Sequence, residues 1–260
     1  HADEKRLEGV NLEFTTTVVI QKKRFDIIMA SKFCGIVEEV SNYYQKDFTR
    51  TAIEDRLAVK LGAESVIGVD ISPKMVDIAK KFEEETGGSK IKYIVRDVVD
   101  IDKLGEFDVV WAMFLLIHAK DIGNLKKMIQ VAYNNLKPGS RFIAFVLQPD
   151  VGDSWPPDNT QIKKYGREYK LTSNDEPHDG DEIIITLYTN DDDQKFNLNA
   201  YWYSHKTLLT VFEETGFVNV KFQKLKVKPE EYAKNGEEYW RYMLEHPCLI
   251  PITAEKKLGN

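Results

Sequence analysis

The sequence predicts an α/β fold, in which a seven-stranded, mostly parallel sheet has helices on both faces, an antiparallel last strand and an inserted β-hairpin. Between residues 66 and 147, continuous apolar runs of strand length alternate with amphipathic helical segments. This pattern is typical of a parallel sheet covered on both faces. After residue 180 the pattern changes to a hairpin, a helix and a polar-faced strand, where a dehydrogenase-type sheet would continue with another βα unit.

The first third of the chain gives weaker signals. Residues 14–20 are rich in Thr, Val and Ile and predict a strand. Apolar residues recur at helical spacing over 25–44, and residues 51–62 predict a capped helix that ends at Gly62.

The central segment has the clearest pattern. Its predicted strands are apolar runs, and its predicted helices have one apolar face. The predicted strands are 66–70, 91–97, 107–119 (including the segment that leaves the strand) and 140–147. The predicted helices are 71–85 and 121–139.

The last third begins with a Pro-rich polar loop at 148–159. Residues 181–190 and 194–203 predict a hairpin joined by Asp191–Asp193, which we interpret as a solvated turn rather than a metal site. A capped helix is predicted at 204–217, with Gly216 past its end, followed by a strand at 218–227 and one short tail helix.

Composition excludes several classes of function. The 36 basic and 42 acidic residues give a net charge of −6 without a long basic run, so we expect no nucleic-acid partner. No stretch approaches the roughly 18 apolar residues of a membrane span, so we expect no membrane partner. The first residues contain no apolar signal-peptide region, and we expect a cytoplasmic protein. Cys34 and Cys248 lack metal-site spacing, which favours free thiols and no metal.

Several stretches of the chain match, in their order and spacing, the pattern of a known protein family: FTR at 48–50, LGAESVIGVDISPKMVDIAKK at 61–81, YIVRDVVDIDKLGEFDVVWAMFLLIHA at 93–119, NLKPGSRFIAFV at 135–146, KYG at 164–166, the predicted hairpin at 181–203, SHKTLLTVFEETGF at 204–217 and EEYWRYMLEHP at 237–247. Together they resemble the class I S-adenosylmethionine-dependent methyltransferases. Within that family they resemble the small-molecule group that includes toxoflavin-synthase-like enzymes. The resemblance covers about residues 48–257 and implies a Rossmann-like sheet with S-adenosylmethionine (SAM) as cofactor.

One motif of the family is missing. An acidic residue followed by GxGxG should end the first strand, just before FTR, but residues 35–50 contain no glycine after Gly35. Glycine is needed there because the backbone turns sharply and approaches the cofactor closely. Three explanations stay open. The loop is rebuilt with Glu38 or Glu39 as its acidic residue, the cofactor site is degenerate, or the chain differs from the native gene product in this region.

The resemblance assigns cofactor contacts to the ends of the predicted strands. It implies that Asp70 accepts hydrogen bonds from the ribose hydroxyls, although a helix N-cap or a NAD site would use the same residue. Asp97 and Val98 correspond to the adenine contact, and the alternative is a turn-forming Asp. The further implied cofactor contacts are Ile71, Ser72, Met75, Met113 and Phe114.

His118 follows the fourth core strand, where the methyl donor meets the acceptor in this family. Its pKa near neutrality makes it the candidate general base, and the alternative is a buried His bonded to backbone. The resemblance places the acceptor pocket in the insertion and hairpin, whose rings can stack on a flat heterocycle or face a cation. The candidate acceptor contacts are Trp155, Tyr165, Tyr201, Tyr203 and His205, with Trp202 in the same run, while Tyr239 and Trp240 are interpreted as core.

Together these interpretations predict methyl transfer from SAM to a small molecule, with nitrogen ahead of oxygen as the acceptor atom. The alternative is a catalytically degenerate member that acts as a binding or partner subunit. The oligomeric state cannot be read from the sequence. The expected organisation is an N-terminal segment (1–47), a SAM-binding core (48–147), a lid and hairpin over the acceptor (148–203) and a C-terminal part that completes the sheet (204–260).

Overall fold

The computed structural model describes most of the chain after residue 62. The described residues are 25–31 (backbone only), 58–59, 63–85, 87, 90–148, 157–173, 176–188, 195–227 and 229–259. The predicted strand at 14–20, most of the predicted helix at 51–62, Trp155 and the Asp191–Asp193 turn lie outside them. Within the described residues, no helix has both the length and the apolar character needed to cross a bilayer.

The described elements alternate between strands and helices up to the second half of the chain. The strands are β1 (Phe25–Ser31), β2 (Ala63–Asp70), β3 (Ile91–Val95), β4 (Phe107–Met113), β5 (Leu136–Leu147), β6 (Arg167–Leu171), β7 (Glu182–Tyr188), β8 (Lys195–Tyr201), β9 (Phe217–Phe222) and β10 (Leu249–Lys256). The helices are α1 (Pro73–Glu85), α2 (Ile122–Asn134), α3 (Asn159–Ile162), α4 (His205–Thr215), α5 (Pro229–Asn235) and α6 (Glu237–Glu245). Three 3₁₀ helices occupy Val98–Asp100, Leu116–His118 and Lys163–Tyr165.

The main sheet has seven strands in the order β3-β2-β1-β4-β5-β10-β9. The neighbours from β3 to β5 pair in parallel, and β10 pairs antiparallel with both β5 and β9. A second sheet, β6-β7-β8, is antiparallel. The predicted α/β fold is confirmed, and the described sheet is mixed.

The helices form where their capping residues and apolar faces require. Asp121 accepts a hydrogen bond from the Asn124 N–H at the start of α2, and Ser204 does the same for Thr207 at the start of α4. Gly216 ends α4 with φ of 103°, a left-handed conformation that glycine adopts without steric cost. These local signals agree with the predicted starts of the helices after β4 and before β9. The prediction that the first of them extends to residue 139 is wrong, because it ends at Asn134 and residues 136–139 begin β5.

The prediction of a helix across 25–44 is wrong for its first residues. Residues 25–31 form β1, which lies between β2 and β4 at the centre of the main sheet. The run FDIIMAS satisfies both helical and strand patterns over so short a length, and pairing with two parallel neighbours decides for the strand. Residues 32–44 lie outside the described part.

The C-terminal end of the sheet also differs from the expectation. The strand predicted as the last one becomes β9, which is shorter than predicted and lies at the sheet edge. The inserted antiparallel strand is instead β10, which the sequence analysis assigned to the tail. Its first four residues, Leu249–Ile252, are all buried because both faces of the strand are covered: Ile250 and Ile252 belong to one core cluster and Leu249 to another.

The second sheet has one apolar and one polar face. Ile183, Ile185 and Ala200 are buried in a cluster with Trp240 of α6 and Leu147 of β5. Ile117, which follows β4, belongs to the same cluster, and Phe114 packs against it. The second sheet is therefore packed on the segment that leaves the main sheet after β4.

Candidate active site

The carboxyl ends of four parallel strands lie at the same level. In β1, Ser31 pairs with Asp70 of β2 on one side and with Met113 of β4 on the other, and Asp70 pairs with Val95 of β3. With neighbouring strands separated by about 4.8 Å, the backbones of Asp70 and Met113 are about 10 Å apart. Ligands of open parallel sheets bind beyond such an edge.

Asp70 is the last residue of β2, and its orientation is fixed. The side chain is 8% exposed, and its Oδ1 accepts a hydrogen bond from the Ser72 N–H at 2.7 Å. The α1 cap is a different residue, because the Ser72 hydroxyl accepts the Met75 N–H at 3.2 Å. Ser72 therefore caps α1, and the Asp70 carboxylate stabilises the turn that leads into the helix.

Two of the predicted cofactor contacts at the start of α1, Ile71 and Met75, differ in exposure. Met75 is buried together with Val76 and Ile78 on the face of α1 that packs inward. Ile71 precedes the helix and remains partly exposed. Ile71 can therefore reach a ligand at the edge without a change in packing, whereas Met75 is part of the core.

Asp97 caps the short helix that follows β3. Its Oδ1 accepts the Val99 N–H at 3.2 Å, while the side chain of Val98 is buried in the core. Asp97 therefore has the turn-forming role that the sequence analysis gave as its alternative. This role is compatible with the predicted adenine contact, because the capped turn also holds the carboxylate beside the edge.

Phe114 leaves β4 in an uncommon backbone conformation. Its φ is 51°, in the left-handed region that a residue with a bulky side chain rarely adopts. The ring centroid lies 5.9 Å from that of Phe145, and Met113 before it is buried. Strain of this kind concentrates at functional sites, where the surrounding fold maintains it.

His118 is buried where the main sheet meets the second sheet. The side chain is 6% exposed, and its Nδ1 lies 3.0 Å from the backbone oxygen of Asn199 in β8. A carbonyl oxygen only accepts, so Nδ1 carries the hydrogen in this contact. In the neutral ring, Nε2 is then the nitrogen that carries the lone pair, as a general base requires.

Two of the predicted acceptor contacts have structural hydrogen bonds. The Tyr203 hydroxyl donates to the Ala119 carbonyl at 2.8 Å, and burial raises the pKa of this phenol above its usual value. The Tyr165 hydroxyl donates to the Tyr239 carbonyl at 2.5 Å, and its ring stacks on Trp240. Both side chains are almost fully buried, so their rings belong to the core that supports the site.

Other rings of the same set remain more accessible. Tyr201 is partly exposed at the end of β8, and His205 places its ring 4.3 Å from that of Phe222. Trp202 is buried and donates its indole N–H to the Gln148 carbonyl at 2.8 Å. Tyr201 therefore remains partly open to solvent, whereas Trp202 next to it does not. Trp240 is buried, as the sequence predicts for a core residue.

Two contributors to the edge were missed in the sequence. Ser31 was assigned to a helix, although its strand has the β-branched and apolar content that could have indicated β1. Asn199 contributes a backbone carbonyl, for which side-chain patterns give no signal.

Comparisons with known proteins agree with this architecture. A family model described as a methyltransferase domain matches residues 52–139. A protein of Listeria monocytogenes assigned to the SAM-dependent methyltransferases is 19% identical with a TM-score of 0.53, over 88% of this chain and 90% of its own. SAM-dependent methyltransferases from Methanosarcina mazei (16%, TM-score 0.53, 92% and 95%) and Mesorhizobium loti (14%, TM-score 0.54, 89% and 91%) are similar in the same way. Among curated proteins no match was found.

At these identities the structural neighbours show a shared fold, and the family match concerns about a third of the chain. Residues 52–139 are therefore similar to a methyltransferase domain, in a fold that the chain shares with SAM-dependent methyltransferases.

Proposed function

We propose that the protein transfers the methyl group of SAM to a small molecule held between the carboxyl edge of the main sheet and the 148–203 segment. The observation that carries the proposal is the buried Asp70 carboxylate at the end of β2, level with Met113 across the central strand. SAM supplies a methyl carbon that its sulfonium makes susceptible to nucleophilic attack. The chain has to bind, orient and deprotonate the partners of that reaction.

The donor set fits an adenosyl group. Asp70 presents a carboxylate whose orientation the Ser72 N–H fixes, and a carboxylate pairs well with two adjacent hydroxyls. Asp97 and Val98, at the next strand, are proposed to contact the adenine. Ile71, Ser72 and Met75 are proposed to line the adenosyl group on its α1 side, and Met113 and Phe114 on its β4 side.

His118 is proposed as the general base. Its Nδ1 is bonded to the Asn199 carbonyl, which places the lone pair of the neutral ring on Nε2, the nitrogen proposed to take the proton of the acceptor. An imidazole removes a proton from a protonated amine more readily than from an alcohol, since the amine is the stronger acid. This difference supports nitrogen ahead of oxygen as the acceptor atom.

The second sheet and the loops around it are proposed to cover the acceptor, with Trp155, Tyr201 and His205 as candidate contacts. Tyr165 and Tyr203, which were predicted to touch the acceptor, are proposed to support this cover from within, because their hydroxyls bond backbone carbonyls. The remaining parts of the proposed organisation are a cofactor-binding core within 48–147, to which the N-terminal segment (1–47) adds the central strand β1, and a C-terminal part, 204–260, that supplies β9 and β10 to the sheet.

Because the sequence between β1 and β2 lacks the glycine-rich motif, cofactor affinity is the measurement that decides between an enzyme and a degenerate binding subunit. That sequence contains Gly35 and Gly62, whereas the family has three closely spaced glycines directly after the first strand. Calorimetric titration with S-adenosylhomocysteine (SAH) tests whether the site works without them. We expect micromolar binding that Asp70→Ala abolishes, while the matched control Asp77→Ala, at an exposed position of α1, leaves it unchanged.

No heat at millimolar SAH in a folded protein would instead support the degenerate binding subunit. Equal SAH affinity in the wild type and in Asp70→Ala would contradict only the role proposed for Asp70.

A further inference from the structure

Arg167 places a guanidinium group on the apolar face of the second sheet. It is the first residue of β6 and pairs with Leu187, and the alternate residues Tyr169 and Leu171 share its face. Tyr169 is 1% exposed, and Arg167 itself is mostly buried. A charged residue is thus directed into a cluster that otherwise consists of aromatic, aliphatic and thiol side chains.

No carboxylate of the described residues neutralises this charge. The Arg167 Nε is buried without a hydrogen-bond partner, and the polar groups next to the side chain, the Tyr169 hydroxyl and the Cys248 thiol, carry no negative charge when protonated. The neighbouring acid, Glu168, belongs to the opposite face, where it accepts from the Tyr188 hydroxyl and pairs with Lys163. Burying a charge without a partner is unfavourable, whereas pairing it with an anion recovers much of the cost.

Arg167 lies near the carboxyl edge of the main sheet. Its charge acts on both the Tyr169 hydroxyl and the Cys248 thiol, so the three groups are neighbours. Cys248 directly precedes β10, whose first residue, Leu249, pairs with Leu147 at the carboxyl end of β5. The Cys248 carbonyl also accepts the Gln148 N–H at 2.9 Å. The guanidinium therefore lies beyond the end of β5, on the side of the edge to which the second sheet is packed.

We propose that Arg167 binds an oxyanion of the methyl acceptor, so that the acceptor carries a carboxylate or a phosphoryl group. This inference rests on the proposed function, because it assigns the group to the acceptor of that reaction. Arginine suits this role because its planar donors match either oxyanion in a bidentate geometry. Because the side chain is not fully buried, an anion can reach it without unfolding the sheet.

The side-chain Nε–H of Arg167, observed by ¹H–¹⁵N NMR, tests the proposal without a known acceptor. Inorganic phosphate and acetate are titrated separately at constant ionic strength against chloride. We expect one of them to shift the Arg167 signal saturably in the millimolar range. The signal itself should disappear in Arg167→Met and persist in the matched control Arg241→Met, an exposed arginine paired with Glu238. Saturation by phosphate alone assigns a phosphoryl acceptor, and saturation by acetate alone assigns a carboxylate.

SAH affinity is measured in the same variants so that the two proposals fail separately. We expect the Arg167→Met variant to bind SAH as the wild type does. Its affinity for the anion that shifts the Arg167 signal should fall at least about tenfold, and Arg167→Lys should recover part of that affinity. An Arg167 signal that neither anion moves, or that shifts linearly as the exposed Arg241 signal does, would overturn the proposal even if SAH binds. If the wild-type protein does not bind SAH, the proposed function is rejected instead.

Discussion

The imidazole of His118 is held by the second sheet, since its Nδ1 lies 3.0 Å from the backbone oxygen of Asn199. The two residues are 81 positions apart and come from different sheets. The contact fixes which ring nitrogen carries the hydrogen, and thereby links the packing of the second sheet to the chemistry proposed at the edge of the first.

Replacing His118 tests the proposed base. His118→Gln retains a side chain that can donate to Asn199 but cannot take up a proton, so kcat should fall by about 10² or more. The SAH dissociation constant should remain within about twofold, because the ring is not proposed to bind the cofactor. Methyl transfer to an acceptor that supports turnover, together with SAH calorimetry, measures both quantities.

His178→Gln is the matched control, because that histidine has a side chain 75% exposed. Turnover that is equal in His118→Gln and the wild type would remove His118 from the mechanism.

Asn135 stabilises the start of β5 from a fully buried position. Its Oδ1 accepts the Leu104 N–H at 2.7 Å, and its Nδ2 donates to the Val131 carbonyl at 2.9 Å. Asn135→Ala leaves both backbone groups without these partners and should lower the free energy of unfolding by about 2–3 kcal/mol. Urea denaturation measures the change.

The neighbouring Asn134 provides the control, because its side chain bonds only Gln130 at the surface among the described residues. Asn134→Ala should cost less than about 0.5 kcal/mol. Similar losses in the two variants would contradict the assignment of the stabilisation to the buried amide.

Tyr203 connects the end of β8 to the segment after β4. Tyr203→Phe removes the hydrogen bond to the Ala119 carbonyl and should destabilise the protein by about 1–2 kcal/mol at neutral pH. Burial raises the pKa of this phenol in the folded state, so folding favours the neutral form. The stabilisation is fully present below the unfolded pKa of about 10 and decreases as the pH rises above it.

Urea denaturation of the wild type and Tyr203→Phe at several pH values measures this dependence. The difference between them should be constant from pH 7 to 9 and shrink above about pH 10. A difference that grows with alkaline pH would have the wrong sign for a buried neutral phenol.

Cys248 should be chemically inert in the folded protein. Its thiol is 5% exposed, and burial raises its pKa to about 12. The reactive thiolate is therefore scarce at pH 8. In a Cys34→Ser background, a disulfide reagent should label Cys248 at least about 10² times more slowly in the native state than in guanidinium chloride.

The same pKa shift predicts a loss of stability between about pH 9 and 12, as the neutral thiol favoured by folding ionises. Rapid labelling of the native protein at pH 8 would show that Cys248 is accessible and contradict its place in the cluster.

Several elements were determined by the sequence alone. The pattern VIGVD followed by an amphipathic run indicated β2 and α1, and Ser204 with Gly216 marked both ends of α4, because capping and apolar periodicity act between residues a few positions apart. The position of Asp70 at a strand end followed from the same local pattern. Its burial and its bond to Ser72 agree with that prediction.

Other features were decided only by the tertiary structure. Residues 25–31 became a central strand because β2 and β4 both pair with them, and Leu249–Lys256 entered the sheet because β5 and β9 leave a place between them. The hydroxyls of Tyr165 and Tyr203 bond carbonyls distant in sequence, and the His118 tautomer depends on a carbonyl in another sheet. Backbone pairing and hydrogen bonds between distant residues depend on how the whole chain packs, so no local pattern of side chains could have indicated them.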